Sequence, residues 1–305
     1  MSRANQQIIS NEVDLGGILN MDKPAGMTSH DVVSAVRRLT LIRRVGHTGT
    51  LDPLATGVLL LCIGRATRLS EYLIGQDKRY EAVVRLGQET NTYDAEGEIA
   101  AEKPVTADRE TIEKALSHFR GPISQVPPMF SALKKDGQPL YELARKGLEV
   151  ERPSREVTIY HLDLLDWTPP DLRLDVTCSS GTYIRSLAHD LGQRLGCGGH
   201  ITALRRTAVG HFSVEEAISL ESLTAENWLE HLQPADTAVA HLPAITFSTE
   251  ETAALQQGQR VAREGDASDS SSDTLARAYD ENGLFIGIIA ARADFWQPRK
   301  ILVPY

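Results

Sequence analysis

The stretch "VGHTGTLDPLATGVLLLCIGRATR", from Val45 to Arg68, places one carboxylate, Asp52, just before a run of apolar residues. The run "TGVLLLCIG" predicts a strand that is buried on both faces, and "ATRLSEYLI" after it predicts a short amphipathic helix. Pro53 disfavours the α region for the residue before it, so Asp52 displays its carboxylate on extended backbone. An Asp-Pro pair among glycines is more often a turn than a catalytic site, so both interpretations stay open at this point.

The composition predicts a folded protein without cysteine chemistry. The chain has 305 residues, of which 41% are apolar, which suits one large domain or a large and a small one. It has no run of about 18 apolar residues and no apolar secretion signal, so we expect a cytoplasmic protein without membrane association. Its three cysteines are far apart and form no C-x-x-C motif, which predicts neither a disulfide nor a cysteine-bound metal.

The charge is unevenly distributed along the chain. A formal net charge of -9 argues against a nucleic-acid partner, because binding phosphates requires Lys and Arg. The block from Arg37 to Arg79, however, carries eight basic and three acidic residues, a local charge of +5. A basic face of this kind could hold a polyanion, and an ordinary mixed surface explains the same numbers equally well.

The order of the predicted elements favours an α+β fold. Strands and helices alternate without a regular βαβ rhythm. Thr28, with Asp31 three residues later, predicts a capped helix start, and "SVEEAISLESL" predicts a second capped helix. The acidic segment 88–105 reads as a loop. The last sixty or so residues contain short strands separated by turns, one of them at Gln297-Pro298, which predicts a small β-barrel.

Two segments differ in composition from the rest of the chain. Residues 122–153 contain five prolines and a set of basic residues at the tips of the segment: Lys134, Lys135, Arg145 and Lys146. A mobile loop that clamps a ligand and a tolerated surface insertion explain this segment equally well. The acidic stretch "EGDASDSSSD", residues 264–273, has the composition of a disordered insert.

The motifs of several enzyme classes are absent. The sequence contains no G-x-x-x-x-G-K-[ST], G-x-G-x-x-G, H-E-x-x-H or G-x-S-x-G, so nucleotide hydrolysis, dinucleotide redox chemistry and zinc hydrolysis lack their usual signatures. The stretch "GTYIRS" places Tyr183 and Arg185 at a helix entrance, where an arginine can pair with a distant carboxylate and keep it ionised. A surface cation and a core tyrosine are the ordinary alternative.

Several of these stretches together resemble one known family. From Gly16 to Phe212 the chain is similar, in the family's own order, to the bacterial tRNA pseudouridine-55 synthases, the TruB family of uridine-to-pseudouridine isomerases. The tail is similar, more loosely, to the family's RNA-binding PUA domain, and residues 264–273 depart from the family pattern. The matching stretches are "LNMDKPAGMTSHDVV", "VGHTGTLDPLATGVLLLCIGRATR", "KRYEAVVRLG", "GTYIRSLAHDLG" and "LRRTAVGHF".

The resemblance implies a fold and a function. We expect a mixed, largely antiparallel sheet flanked by helices, in a catalytic domain over 12–245 with a thumb-like insertion at about 122–153. A PUA-like RNA-binding β-barrel is expected over 246–305. The expected activity is isomerisation of the uridine at position 55 in the tRNA T stem-loop, by a monomer without an obligate protein partner. No cofactor or metal is expected, because the isomerisation gains no atom or electron from outside.

The resemblance also implies roles for individual residues. Asp52 would be the catalytic carboxylate, Arg185 its partner, and Tyr80 the residue that stacks on the target base and handles a proton at C5. The RNA backbone would be held by the four basic residues of the insertion. Lys23 and Pro24 would form a structural motif beside the site. The substrate-binding set would be His47, Tyr80, Tyr183 and Leu204.

The chemistry of the reaction fits one ionised carboxylate. The target base must leave the stack before its glycosidic bond can be reached. Asp52 could then act as a nucleophile at the sugar or the base, or remove a ribose proton. A noncatalytic RNA-binding or RNA-folding module on the same scaffold is the first alternative. A carboxylate glycosidase is the second, and it would need a second carboxylate that the matching motifs do not supply.

Overall fold

The computed structural model describes residues 16–131, 133–135, 137–148, 150–263 and 274–303, so the acidic insert at 264–273 lies outside the described residues. The helices of these ranges are α1 (Ser29–Thr40), α2 (Ser70–Ile74), α3 (Arg109–Leu116), α4 (Leu140–Arg145), α5 (Ile184–Arg194) and α6 (Thr249–Gln256). The strands are β1 (Gly17–Lys23), β2 (Val45–His47), β3 (Thr56–Ile63), β4 (Lys78–Leu86), β5 (Gln88–Thr90), β6 (Ile99–Glu102), β7 (Gly121–Gln125), β8 (Lys134–Lys135), β9 (Gln138–Pro139), β10 (Arg155–Thr168), β11 (Asp171–Cys178), β12 (Gly199–Val209), β13 (Phe212–Ser213), β14 (Ile218–Ser219), β15 (Leu232–Pro234), β16 (Ala244–Thr246), β17 (Val261–Ala262), β18 (Leu275–Tyr279), β19 (Phe285–Arg292) and β20 (Phe295–Ile301).

A mixed, largely antiparallel sheet forms the main body, as predicted. Its eight-strand path runs β14-β1-β3-β12-β4-β11-β10-β7, and β2, β13 and β15 pair with strands of this path. Only the β1–β14 and β3–β12 pairings along the path are parallel. Helices α1 and α5 supply apolar side chains to the core on one face of the sheet. The α+β class expected from the sequence is therefore confirmed.

Strand β3 is buried on both faces, as its apolar run predicts. Leu59 and Leu61 point into the core that α1 and α5 share, whereas Val58 and Leu60 point into a second apolar cluster on the other side. Since successive side chains of a strand face opposite ways, only an uninterrupted apolar run can satisfy both cores. Each fully buried leucine contributes about 1.5–3 kcal/mol of transfer free energy.

Local signals predicted the start of α1 and failed at three places within residues 16–245. Thr28 caps α1 as expected: its Oγ1 accepts the Asp31 amide at 3.1 Å, and Asp31 Oδ2 accepts the Thr28 amide at 2.9 Å. The predicted loop after β4 instead contains the β5–β6 hairpin. The predicted helix at "SVEEAISLESL" is only a short 3-10 turn followed by β14, because pairing with the edge of β1 outweighs local helix propensity. The predicted helix after β3 begins as a 3-10 turn before α2.

A second, curled sheet follows the main body, with the strand order β16-β18-β19-β20-β17. The predicted turn at Gln297-Pro298 is wrong: both residues lie within β20, and the chain reverses before it, at Ala293, whose φ is 38°. Phe285, Ile288 and Leu302 pack in the same apolar cluster as the outer face of β3. The second sheet therefore shares a core with the main body.

Two arginines of the basic block hold this second sheet in place. Arg65 Nη1 donates to the Leu302 carbonyl at 2.8 Å, and Arg68 Nη1 donates to the carbonyl of Ile301. The segment with five prolines also has an anchored start, since Gly121–Gln125 pairs with β10 as an edge strand. The part that leaves the sheet begins at residue 126.

None of the helices in the described ranges combines the length and the apolar character needed to span a membrane.

Candidate active site

One cavity of about 610 Å³ collects residues from distant parts of the sequence. Its lining comes from β2, the loop before β3, strands β4 and β12, and the entrance to α5. The structure therefore brings together, around one cavity, residues as far apart in the chain as Thr28 and Arg206. All six residues that the resemblance assigns to catalysis or base binding are among the lining residues: His47, Asp52, Tyr80, Tyr183, Arg185 and Leu204.

Asp52 lies in a tight loop whose backbone is held from both sides. The Leu51 amide donates to Ser29 Oγ at 2.8 Å, and Ser29 Oγ donates back to the Leu51 carbonyl at 3.1 Å. The Ala55 amide donates to the Asp52 carbonyl at 3.0 Å, which closes a turn. Asp52 is thus a turn residue that also displays its carboxylate at the cavity, where the side chain is 31% exposed.

A buried lysine, Lys23, stabilises this loop through hydrogen bonds to backbone carbonyls. Lys23 Nζ donates to the carbonyls of Pro24 at 2.8 Å, Met27 at 2.6 Å and Pro53 at 3.3 Å. Burial lowers the pKa of Lys23 to about 8, and the nearby Asp52 carboxylate opposes that change. Lys23 therefore fixes the backbone of Pro53, the residue next to Asp52. This contact agrees with the structural role that the resemblance implies for Lys23 and Pro24.

Arg185 forms a bidentate ion pair with Asp52. Its Nε lies 3.0 Å from Asp52 Oδ2, and its Nη2 donates to Oδ1 at 3.1 Å. Arg185 sits in the first turn of α5, and its side chain is only 5% exposed. Burial raises the pKa of the Asp52 carboxyl above that of a free aspartate, whereas the Arg185 guanidinium opposes this rise.

A second carboxylate, Asp94, lies on the other side of Arg185. Arg185 Nη1 lies 3.2 Å from Asp94 Oδ2, and both side chains are 5% exposed. Thr92 Oγ1 and the Glu96 amide donate to Asp94 Oδ1 at 2.6 and 3.1 Å. Sequence reasoning missed Asp94, because it lies in the acidic segment that reads as a solvated loop. Its only sequence signal is the Asp-x-x-Gly spacing to Gly97, which is typical of a turn.

The hairpin turn that carries Asp94 packs against the helix that carries Arg185. The Tyr93 ring stacks on the His189 ring at a centroid distance of 3.9 Å, and Tyr93 has a φ of 64°. His189 is one helical turn after Arg185, so both side chains lie on the same face of α5. This stacking fixes the turn in the position from which Asp94 reaches the guanidinium.

The proline-rich segment meets the same helix at its start. Gln125 Oε1 accepts the Tyr183 amide at 2.8 Å, and its Nε2 donates to the Tyr183 carbonyl at 3.0 Å. Arg185 Nη2 also donates to the carbonyl of Phe130 at 2.7 Å. The guanidinium of Arg155 lies 4.3 Å from the centroid of the Tyr183 ring. Gln125 and Arg155 were not identified from the sequence, because neither stands in a recognisable pattern.

Tyr80 and Leu204 line the cavity from strands β4 and β12. Tyr80 projects from β4 and is 7% exposed, and its register partner on β12 is Arg206. Burial raises the pKa of the Tyr80 phenol, and the positive charge of Arg206 opposes the rise. Burial and the Arg206 charge lower the pKa of His47, which is therefore neutral at pH 7. The sequence did not single out Arg206, because a lone arginine in a strand usually lies at the surface.

The basic block from Arg37 to Arg79 does not form one continuous basic face. Besides the two arginines that hold the second sheet, Arg79 pairs with Asp175 at 2.6 Å, and the buried Lys78 donates to the carbonyls of Ile74 and Gln76. Part of the block therefore serves contacts within the chain. The exposed residues of the whole block are Arg38, Arg43, Arg44, Arg68 and Arg79, of which Arg68 and Arg79 also make the contacts just described.

The basic residues of the insertion are described only in part. The side chains of Lys134, Lys135 and Arg145 lie outside what the structure describes, and Lys146 is exposed.

Within the described ranges, no cluster of three His, Cys, Asp or Glu side chains is arranged to hold a metal. What the arrangement offers chemically is a carboxylate on one wall of the cavity, held by a fixed guanidinium, and a phenol on the other.

Profile comparison matches three consecutive segments of the chain to one family. Residues 37–184 match the N-terminal domain of the TruB family pseudouridylate synthases. Residues 185–241 match the C-terminal domain of tRNA pseudouridylate synthase B, and residues 243–294 match the C-terminal segment of pseudouridine synthase II TruB. Together these segments cover most of the described residues.

Relatives of the chain are similar over almost its whole length. It is 50% identical over 281 residues to tRNA pseudouridine synthase B of Pseudomonas aeruginosa, which covers 90% of this chain and 91% of that protein. It is 44% identical over 295 residues to the protein of the same name from Haemophilus influenzae, covering 94% and 93%. Among solved structures, a Cbf5–Nop10–Gar1 complex matches with a TM-score of 0.74 and 27% identity, over 97% of this chain and 87% of that one.

Asp94→Asn should destabilise the protein, because it leaves the buried Arg185 guanidinium without one of its two carboxylate partners. Breaking a buried ion pair from one side costs about 3–5 kcal/mol. We therefore expect the free energy of unfolding, measured by urea denaturation, to fall by about 3 kcal/mol or more. Glu98→Gln, a neutralisation of an exposed carboxylate in the same hairpin, is the control and should change it by less than about 0.5 kcal/mol. Equal effects of the two substitutions would contradict the ion-pair assignment.

Proposed function

The chain belongs to the TruB family of tRNA pseudouridine synthases, and we propose that it isomerises the uridine at position 55 in the tRNA T loop, with Asp52 as the carboxylate that starts the reaction. The observation that carries this proposal is the convergence of Asp52, Arg185 and Tyr80 on a single cavity. The three residues come from a loop, a helix and a strand that are far apart in the sequence. Their convergence supports one reaction centre.

The cavity suits a flipped-out uridine. Its volume of about 610 Å³ falls within the range of small-ligand sites, about 300–1,000 Å³, and leaves room for a nucleoside. In the proposal the uracil ring stacks on Tyr80 and packs against Leu204, which offsets part of the stacking energy lost on flipping. Neutral His47 and the Tyr183 ring also line the cavity.

The charge arrangement suits chemistry at the glycosidic bond. The reaction breaks the N1–C1′ bond and forms a C5–C1′ bond, while C5 loses a proton and N1 gains one, so no outside atom or electron is needed. Asp52 supplies the one reactive carboxylate, which Arg185 holds in position and helps to keep ionised. Asp94 and the backbone carbonyls hold Arg185 in turn, so little reorganisation is needed during the reaction.

Asp94 bears on the glycosidase alternative. A glycosidase uses two carboxyl groups that both face the scissile bond. Asp94 is a carboxylate near Asp52, but it is buried, and Arg185, Thr92 and a backbone amide occupy its oxygens. This arrangement argues against Asp94 as the second carboxylate of a glycosidase. Glu96 also lines the cavity, so the release of free uracil is the observation that distinguishes hydrolysis from isomerisation.

The finer expectations from the sequence are part of the same proposal. We propose that the T stem-loop is the recognised part of tRNA, that the chain acts as a monomer, and that it works in the cytoplasm. The domain division at about residue 245 and the RNA-binding role of the second sheet are likewise proposed. Phosphate contacts are assigned to the insertion and to the exposed arginines of the basic block.

Asp52→Asn should abolish pseudouridine formation while leaving tRNA binding within about twofold of wild type, because it removes one charge and keeps the shape of the side chain. Tritium release from 5-tritiated uridine in tRNA measures the reaction, and filter binding measures affinity. Turnover of the variant at the wild-type rate would overturn the assignment. Tight binding by the wild-type protein without product would favour the noncatalytic RNA-binding alternative, and release of free uracil would favour the glycosidase.

The reaction rate should fall as the pH drops through the pKa of Asp52, because only the carboxylate is active. Burial raises that pKa, so the midpoint of the acid limb in kcat should lie above about 3.9, the usual value for aspartate. Single-turnover rates at a series of pH values test this, with circular dichroism to show that the protein stays folded. A rate that is independent of pH down to 4 in the folded protein would contradict the prediction.

Replacing Lys134, Lys135, Arg145 and Lys146 together with Ala should weaken tRNA binding and make its salt dependence less steep, by about one in the log–log slope for each phosphate that the variant no longer neutralises. The control replaces Lys103 and Lys114, two exposed lysines that do not line the cavity. Binding isotherms at a series of salt concentrations measure both effects. An unchanged affinity and slope would show that the insertion is a passive surface loop.

A further inference from the structure

Arg206 is a buried arginine at the cavity that has no role in the proposed reaction so far. It is 3% exposed and lines the cavity. No ion pair joins it to a carboxylate among the described residues, although a buried cation is normally paired. Its charge adds to burial in lowering the pKa values of two lysines, Lys23 and Lys78, both to about 8. A buried guanidinium among other cations requires a physical reason.

The backbone accounts for part of the guanidinium's hydrogen bonding. Arg206 Nε donates to the Val58 carbonyl at 2.7 Å, and Nη2 donates to the Gly49 carbonyl at 3.1 Å. These two bonds fix the plane of the guanidinium group. Tyr80 is the direct cross-strand partner of Arg206 in the β4–β12 pairing, so both side chains lie on the same face of the sheet. The remaining donors of the fixed guanidinium can thus serve the Tyr80 phenol.

Arginine has only hydrogen-bond donors, and this fixes the direction of the contact. Any hydrogen bond between the two side chains therefore runs from the guanidinium to the phenol oxygen, so the phenol proton has to point elsewhere. Tyr80 lines the cavity, and the cavity is where its hydroxyl proton can find an acceptor. We propose that Arg206 is a positioning residue for Tyr80: its guanidinium occupies the phenol oxygen and leaves the hydroxyl proton to point, in the plane of the ring, into the cavity that holds the target base. This inference rests on the proposed function for the identity of the base.

The other charged or titratable groups near Tyr80 would not orient the hydroxyl in this way. Cys178 on β11 and Asp52 in the loop before β3 both face Tyr80, and each of them raises the pKa of the phenol. Arg206 is the neighbour that lowers it. Removing Arg206 should therefore raise the pKa of Tyr80 and free the hydroxyl to rotate.

The direct test is the pKa of Tyr80 by NMR of protein labelled with ¹³C at the ζ carbon of tyrosine. The Tyr80 signal is the one that disappears in Tyr80→Phe, which is needed because the chain has eight tyrosines. In Arg206→Gln and in Arg206→Met we expect this pKa to rise by about one pH unit or more. An unchanged pKa in either folded variant would overturn the proposal, and using two variants protects the test against one that does not fold.

The kinetic test separates positioning from a structural role. Removal of the charge-assisted hydrogen bond should lower kcat by about 10- to 100-fold with KM for tRNA within about twofold. In a Tyr80→Phe background, replacing Arg206 should cause no further decrease in the single-turnover rate. If Arg206 instead acts only by holding the Val58 and Gly49 carbonyls, its replacement should lower the rate by the same factor in both backgrounds. The second result would overturn the proposal.

The matched control is Arg205→Gln. Arg205 is the adjacent residue of β12, points the opposite way and pairs with Asp22 at 2.7 Å, so the pKa of Tyr80 should not change. A rise equal to that of Arg206→Gln would overturn the proposal. The NMR result does not depend on turnover. If the wild-type protein formed no pseudouridine, the proposed function would fail, and the NMR pKa of Tyr80 would still show whether Arg206 acts on the phenol.

Discussion

The ion pair between Asp52 and Arg185 is the contact on which the candidate site depends. Arg185 is almost fully buried, and a buried guanidinium requires carboxylate partners for its charge and acceptors for its two Nη groups. Three segments around α5 meet that demand: the loop before β3 through Asp52, the β5–β6 hairpin through Asp94 and the Thr92 carbonyl, and the insertion through the Phe130 carbonyl. One side chain thus links the reactive carboxylate to the segments that surround it.

The sheet explains how these segments come to meet. Strand β3 is buried on both faces and lies between the two apolar cores, so the loop that precedes it has a fixed origin. The pairing of β3 with β12 and of β12 with β4 then sets the distance from Asp52 to Tyr80 and Arg206. The two walls of the cavity carry different charges: the first has carboxylates around Arg185, and the second has the cations Arg206 and Lys78 near the phenol. A base bound between them meets a different environment on each side.

Much of the fold could be predicted from local patterns. The apolar run "TGVLLLCIG" predicted β3, because a strand buried on both faces needs a continuous apolar run. The capping box predicted the start of α1 because it is formed by residues three positions apart. Prediction failed at β14, whose partner β1 is distant in the sequence, and at the local β5–β6 hairpin, whose acidic sequence is typical of a loop.

The sequence by itself determined the class of the fold, the position of Asp52 and, through matching motifs, the family. It did not identify Asp94 or Arg206, since an aspartate in an acidic turn and an arginine in a strand look like surface residues. Only the tertiary structure made Asp94 a buried partner of Arg185 and placed Arg206 against Tyr80. The physical reason is that an ion pair or hydrogen bond depends on distance in space and on burial, and chain separation carries no information about either.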